Sequence, residues 1–289
     1  MYKRRDIREA AVQFLYFADL EGGADPSDMQ ETFWQITQEN SLRKLAKAKA
    51  KAILHIAQGR ESRIAKLSEH VPLALTELKA VGDLTALTVP LRALLRQESK
   101  LNAAIELLKS STQSKTSDDL IESRLEDIFI ANRVVKDART AWDNALDDLP
   151  VWRNKLEAIT AAATHLERIS ERFNGIDNLE STEAPAHGTE HLHASSQELT
   201  AFRKDTEALV QGVLSHKESL DEKLGDIVEN YSPERVDPVD RAILRIGAYE
   251  IIHRDDIPRA VSINEAIEIA KRFGTTESSR FINGILDAL

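Results

Sequence analysis

Turn-forming residues are too rare in this chain for a fold of many short elements. Eleven glycines and eight prolines are spread over 289 residues, about half of the roughly 12% that the two make up in ordinary chains. A sandwich or barrel needs a turn signal about every 8–12 residues. The chain therefore predicts an all-α protein of few, long helices, long enough for one large or two modest domains. Cysteine is absent, which excludes a disulfide framework, a thiolate nucleophile and a cysteine zinc knuckle. No apolar run approaches the roughly 20 residues of a membrane span, and the basic start lacks an apolar signal core. A soluble, cytoplasmic protein with no membrane partner is expected.

Apolar spacing places the helices. Ile7, Ala10, Ala11, Phe14, Leu15 and Ala18 recur at three and four residues, one stripe over several turns. That helix should stop at Gly22-Gly23, ahead of Pro26. A short helix is expected over 28–37, then a long one from Ser41 to His70 halted before Pro72, with others near 84–109, 117–146 and 151–173. Residues 174–195 have no apolar period and read as a mobile linker. Ser195 with Glu198 resembles a capping box opening a helix to about Asn230. Residues 239–252, "VDRAILRIGAYEII", are apolar on more than one face and should lie centrally in a bundle, with Glu250 paired to an arginine such as Arg241 or Arg245. Ser262 and Glu265 suggest a second capping box, Gly274 a left-handed cap, and Asn283-Gly284 a close helix contact. The final helix should turn Phe281, Ile282, Ile285 and Leu289 inward.

Charge is uneven. The whole chain carries −10, a field that repels nucleic acid. Residues 1–8 nevertheless hold Lys3, Arg4, Arg5 and Arg8 against Asp6 alone, and residues 196–289 hold 12 basic and 18 acidic side chains. An acidic body suits a basic protein partner, and a basic tip suits an anionic polymer. Arg4 and Arg8 lie one turn apart with Arg5 on an adjoining face, so their guanidinium groups fan over one patch. Such groups bind phosphate bidentately and stack on unpaired bases. A solvated, charged terminus is the alternative.

The strings "DRAILRIGAYE", "IPRAVSINEAIEIAKRFG" and "SRFINGILD" closely resemble the C-terminal half of the NusB family of bacterial transcription antitermination factors. "RRDIREAAVQFLYFADL" looks like that family's first helix, and "TAFRKDTEALVQGVL" like the helix before its C-terminal half. The resemblance covers 1–38 and 196–289, so a discontinuous NusB-like RNA-binding domain is expected, with an inserted helical domain over 39–173 and a flexible linker over 174–195. It implies a pair of small helical bundles that binds boxA-type single-stranded RNA of ribosomal RNA transcripts. It also implies the ribosomal protein NusE as partner, with NusA, NusG and RNA polymerase completing the antitermination complex. On that resemblance Lys3, Arg4, Arg5, Arg8, Lys271, Glu277, Arg280 and Phe281 are the candidate RNA contacts. Tyr16 and Asp240 match NusE contacts; core packing for Tyr16 and helix-start stabilisation for Asp240 are the alternatives. A helical scaffold that kept the fold and lost RNA binding is the competing function.

Catalytic strings are missing: there is no phosphate loop, HExxH or GxSxG. His187, Glu190, His191 and His193 fit no standard zinc spacing. No enzyme, metal or cofactor is expected. The insertion should form its own hairpin or bundle, since one exposed amphipathic helix leaves its stripe wet. Spacer, protein-binding surface and self-association module compete for its role, and its near-neutral charge favours protein contact.

Overall fold

The computed structural model describes residues 2–20, 26–82, 84–113, 118–180, 188–227 and 235–289, and every regular element among them is helical. None of the described helices is long and apolar enough to cross a membrane. The chain divides into two compact units, one of residues 1–39 with 198–289 and one of residues 40–197.

The first unit joins the two ends of the chain. It holds α1 (Arg4–Leu20), the start of α2 (Pro26–Ala57), the end of α8 (Glu190–Ser215), α9 (Lys217–Ile227), α10 (Pro238–His253), α11 (Arg259–Phe273) and α12 (Ser278–Ala288). One core unites them: Ala11, Phe14 and Leu15 of α1 meet Trp34, Val213, Leu224, Ile243, Leu244, Ala270, Ile282 and Leu286. The α1 stripe is thus buried as its spacing requires, and α1 packs on α10. At its start the Lys3 amide donates to Asp6 Oδ2 at 2.7 Å. Helix α10 opens on an Asp237 cap that accepts from the Val239 amide at 2.9 Å, with Pro238 in the first turn, where a missing N–H costs nothing.

Glycine permits one close crossing here. A Cβ at Gly247 would stand 2.6 Å from Leu286 Cδ1, so α10 and α12 approach across a bare backbone. The expected contact at Gly284 is not made, for a Cβ there meets nothing within 4 Å. Gly274 is not left-handed either; its φ is −89°. It is needed because a Cβ would crowd Ser278 at 2.6 Å and the Ala270 carbonyl at 2.9 Å.

The second unit contains the rest of α2, a 3-10 turn (Gln58–Arg60), α3 (Glu61–Val81), α4 (Thr85–Gln113), α5 (Asp118–Asp148), the short α6 (Val151–Lys155), α7 (Glu157–Asp177) and the start of α8. Helices α4 and α5 form a long antiparallel hairpin, and α3 and α7 pack together. Two apolar clusters fill it. One centres on Ile53, Leu101, Ile128 and Phe173; the other on Leu67, Leu91, Trp142 and Leu166. A buried ion cluster also lies within it: Glu98, with no exposed surface, accepts from Arg60 Nη2 at 2.6 Å and from Arg139 Nε at 2.7 Å and Nη2.

Several boundaries differ from the sequence expectations. Helix α2 runs unbroken from Pro26 to Ala57, because no glycine or proline interrupts it before Gly59. Pro72 lies inside α3 rather than ending a helix. Leu67, Val71, Ala74 and Leu78 carry the buried stripe past it, and that packing outweighs the one backbone bond proline removes. Residues 174–195 are not a linker throughout: Asn174–Asp177 end α7 and Glu190–Ser195 open α8. Ile176, Leu179 and Leu192 are buried in the core there, while residues 181–187, with His187, lie outside the described residues. Ser195 is consequently interior to α8, and α8 stops at Ser215 rather than near Asn230. Among the described residues no group of three or more histidine, aspartate or glutamate side chains is arranged to hold a metal.

Candidate functional site

The start of α1 and one face of α11 enclose a cleft of about 800 Å³ in the first unit. Lys3, Arg4, Arg5, Arg8, Lys271 and Arg272 reach it, with Asp6, Glu9, Glu265 and Glu268 as counter-charges. The cations divide by what holds them.

Arg8 is not part of an open patch. It is 4% exposed, and its Nε donates to Glu250 Oε1 at 2.7 Å. The other Glu250 oxygen accepts from Ser262 Oγ at 2.8 Å. This closed set of α1, α10 and α11 side chains corrects three expectations. Arg8 is structural. Glu250 pairs across the fold and not with Arg241 or Arg245, which donate to Asp19 and Asp221 respectively. Ser262 does not cap α11, which begins after Pro258; the buried carboxylate takes its hydroxyl.

Arg5 is exposed but engaged: its Nε and Nη2 clasp the two Glu265 oxygens, each at 2.7 Å. That bidentate hydrogen bonding holds the Glu265 carboxyl below its usual range. The pair's contribution is therefore complete above the ordinary glutamate range and is lost as pH falls through the lowered value. In an Arg5→Ala chain, the Glu265 carboxyl followed by NMR should titrate at higher pH, back toward 4.5. An unmoved titration would show that the clasp does not persist in solution.

Lys271 donates to Glu268 at 2.7 Å. Arg272 pairs with Glu9 and lies 5.1 Å from the centre of the Phe273 ring. Among the described residues Lys3 and Arg4 make no side-chain ion pair, and both are exposed. Arg280 is likewise exposed and unpaired. Arg272 is the cleft cation that spacing did not single out; its neighbour Lys271 carried the only signal for it.

The other candidates divide similarly. Glu277, Arg280 and Phe281 are exposed at the start of α12, but they do not line the cleft. Phe281 is 37% exposed and not inward, so its ring is open to stacking. Tyr16 is half-buried on α1. Asp240 is 7% exposed; its Oδ2 accepts from Ser278 Oγ at 2.9 Å, tying α10 to α12. Its Oδ1 is buried without a partner, and burial pushes the carboxyl above its usual range.

An edge of exposed guanidinium and ammonium groups, interleaved with half-neutralised ones, can bind a phosphate backbone weakly, and an exposed ring such as Phe281 can stack a base. No group of three or more metal-ligating side chains is found among the described residues.

Comparison with known proteins points to one family. A family model described as "NusB family" matches residues 158–289. A "Transcription antitermination protein NusB" of Methylacidiphilum infernorum is 51% identical over 90 residues, 30% of this chain and 63% of that protein. The one from Desulfitobacterium hafniense strain DCB-2 is 57% identical over 81 residues, 28% of this chain and 55% of its own length. That of Bacillus licheniformis is 46% identical over 111 residues, covering 38% of this chain and 80% of the relative. The chain thus spans less than two thirds of the first two relatives.

Proposed function

This chain belongs to the NusB family, and we propose that it is a cytoplasmic transcription antitermination factor that binds boxA-type RNA of ribosomal RNA transcripts together with the ribosomal protein NusE. The unit of residues 1–39 and 198–289 is the family's RNA-binding domain in this proposal, and residues 40–197, of which 158–197 also fall within the family match, form the additional unit. The observation that carries it is the exposed pair Lys3 and Arg4, neither in a side-chain ion pair among the described residues, in a cleft that Lys271 and Arg272 also line. Arg280 and Phe281 extend the RNA contact, with Glu277 beside them. Tyr16 and Asp240 mark the NusE side in this proposal, Asp240 through its bond to Ser278, which ties α10 to α12.

Three free cations and three clasped ones give modest electrostatic affinity. Such a surface works by bivalency: a protein partner that touches both this domain and the RNA raises the effective concentration of each weak contact. NusA, NusG and RNA polymerase then complete the assembly, and no catalytic step belongs to this chain. The test is a titration of labelled boxA-type RNA with and without NusE. Binding should tighten by about tenfold or more with NusE present. No enhancement would favour a helical scaffold that has lost the RNA function.

A further inference from the structure

We infer that the inserted unit binds a small zwitterion, an α-amino acid, in the cleft between α5 and α7. This cleft of about 260 Å³ is lined by Asn132, Arg133, Lys136 and Arg139 on α5, and Glu167, Ser170, Glu171 and Asn174 on α7. Its floor is buried and polar, and two of its atoms are unused. Ser170 is 4% exposed, and its Oγ has no hydrogen-bond partner. Elsewhere in this unit Ser99, Ser111, Thr140, Thr160 and Thr164 turn their hydroxyls onto the carbonyl four residues back, at 2.7–3.1 Å. Ser170 does not take that ordinary option. Asn132, 3% exposed, has both donor bonds committed, to the Ser170 carbonyl at 3.2 Å and to Asn174 Oδ1 at 2.7 Å. That orientation leaves its Oδ1 a buried acceptor without a donor. Buried polar atoms are seldom left so.

The charges around this floor are sorted by wall. Arg139, 3% exposed, spends Nε and Nη2 on one oxygen of Glu98, which leaves its Nη1 outside that pair. Lys136 stands one turn away on the same helix. Arg133 is bound to Asp177 at 2.8 Å. Glu167 and Glu171 occupy the facing helix, one turn apart. Among the described residues, Lys136, Glu167 and Glu171 form no ion pair, although opposite charges face one another across the cleft. A simple anion would meet the two glutamates, and a simple cation would meet Arg139 and Lys136. A molecule carrying a carboxylate and an ammonium satisfies both walls. Its carboxylate is received by Arg139, Lys136 and the Ser170 hydroxyl, its ammonium by Glu167, Glu171 and Asn132 Oδ1.

The test uses the full chain in calorimetric titrations with each of the standard amino acids, and with acetate and methylamine at matched ionic strength. At least one amino acid should bind saturably at one per chain, while acetate and methylamine each bind at least about tenfold more weakly. Lys136→Gln, Glu171→Gln and Ser170→Ala should each weaken that binding by about tenfold or more. The two exposed substitutions should leave amide protection in α5 and α7 of the ligand-free chain unchanged. Lys3→Ala with Arg4→Ala should leave amino-acid binding unchanged, which separates this site from the RNA edge. The inference is overturned if no amino acid binds, if acetate binds as well as the amino acid does, or if the variants retain full binding.

Discussion

Replacing Arg8 with alanine is expected to destabilise the unit of residues 1–39 and 198–289 by about 3–5 kcal/mol, the usual cost of leaving one member of a buried ion pair alone. Glu250 is 3% exposed and would keep only the Ser262 hydroxyl, at 2.8 Å. Because the chain has two units, a single melting curve is a poor readout. Hydrogen exchange resolves the effect by element. Amides of α1, α10 and α11 should lose protection in Arg8→Ala, while those of α4 and α5 should not change. Replacing the pair together, Arg8→Met with Glu250→Leu, should recover much of the loss, since matched apolar groups often do as well as a buried pair. Unchanged protection in Arg8→Ala would return Arg8 to the surface patch that its sequence neighbours suggested.

A comparable loss is expected in the other unit when Glu98 becomes alanine. Arg60 and Arg139, 1% and 3% exposed, both donate to that single carboxylate. Arg60 has two further guanidinium nitrogens buried without partners, and burial already lowers its pKa. Removing the counter-charge strands two cations and leaves a cavity, so the cost should reach about 3–5 kcal/mol or more. Exchange should quicken in α4, α5 and the turn at Gln58–Arg60, with α10 to α12 unaffected. Equal protection in the variant would mean that water reaches the cluster and the arginines need no carboxylate.

The helices of the terminal-segment unit were legible because local signals agreed there. The α1 stripe and the apolar run over residues 239–252 each mark a helix independently. In the insertion the signals conflicted. Pro72 argued for a stop, while Leu67, Val71, Ala74 and Leu78 argued for continuation, and burial decided it. Ser195 there, and Ser262 as an exception in the other unit, had capping-box spacing but sat inside helices whose true starts lay upstream.

The candidate site was legible as a composition but not as a geometry. Four basic residues near the start look alike in one dimension. Helical phase puts Arg8 on a face with Ala11, Val12 and Leu15, all of them core residues, while Arg4, one turn earlier on that face, sits at the helix start and stays exposed. Its partner Glu250 on an apolar helix was the matching half of that signal. The Arg5–Glu265 clasp joins residues 260 apart in sequence, and no spacing rule reaches so far. The free cations, Lys3 and Arg4, emerge only after these pairs are subtracted.

The central claim is that the unengaged cations of the α1 edge, and not Arg8, meet the RNA backbone. Affinity for a boxA-type RNA measured across a range of salt concentrations tests it most directly. Lys3, Arg4 and Arg280 contacting one phosphate each give a log–log salt slope of about −2 for a single strand. In a chain carrying Lys3→Ala and Arg4→Ala, the slope should flatten to about −0.7 as affinity falls. A slope left unchanged by those two substitutions would contradict the account.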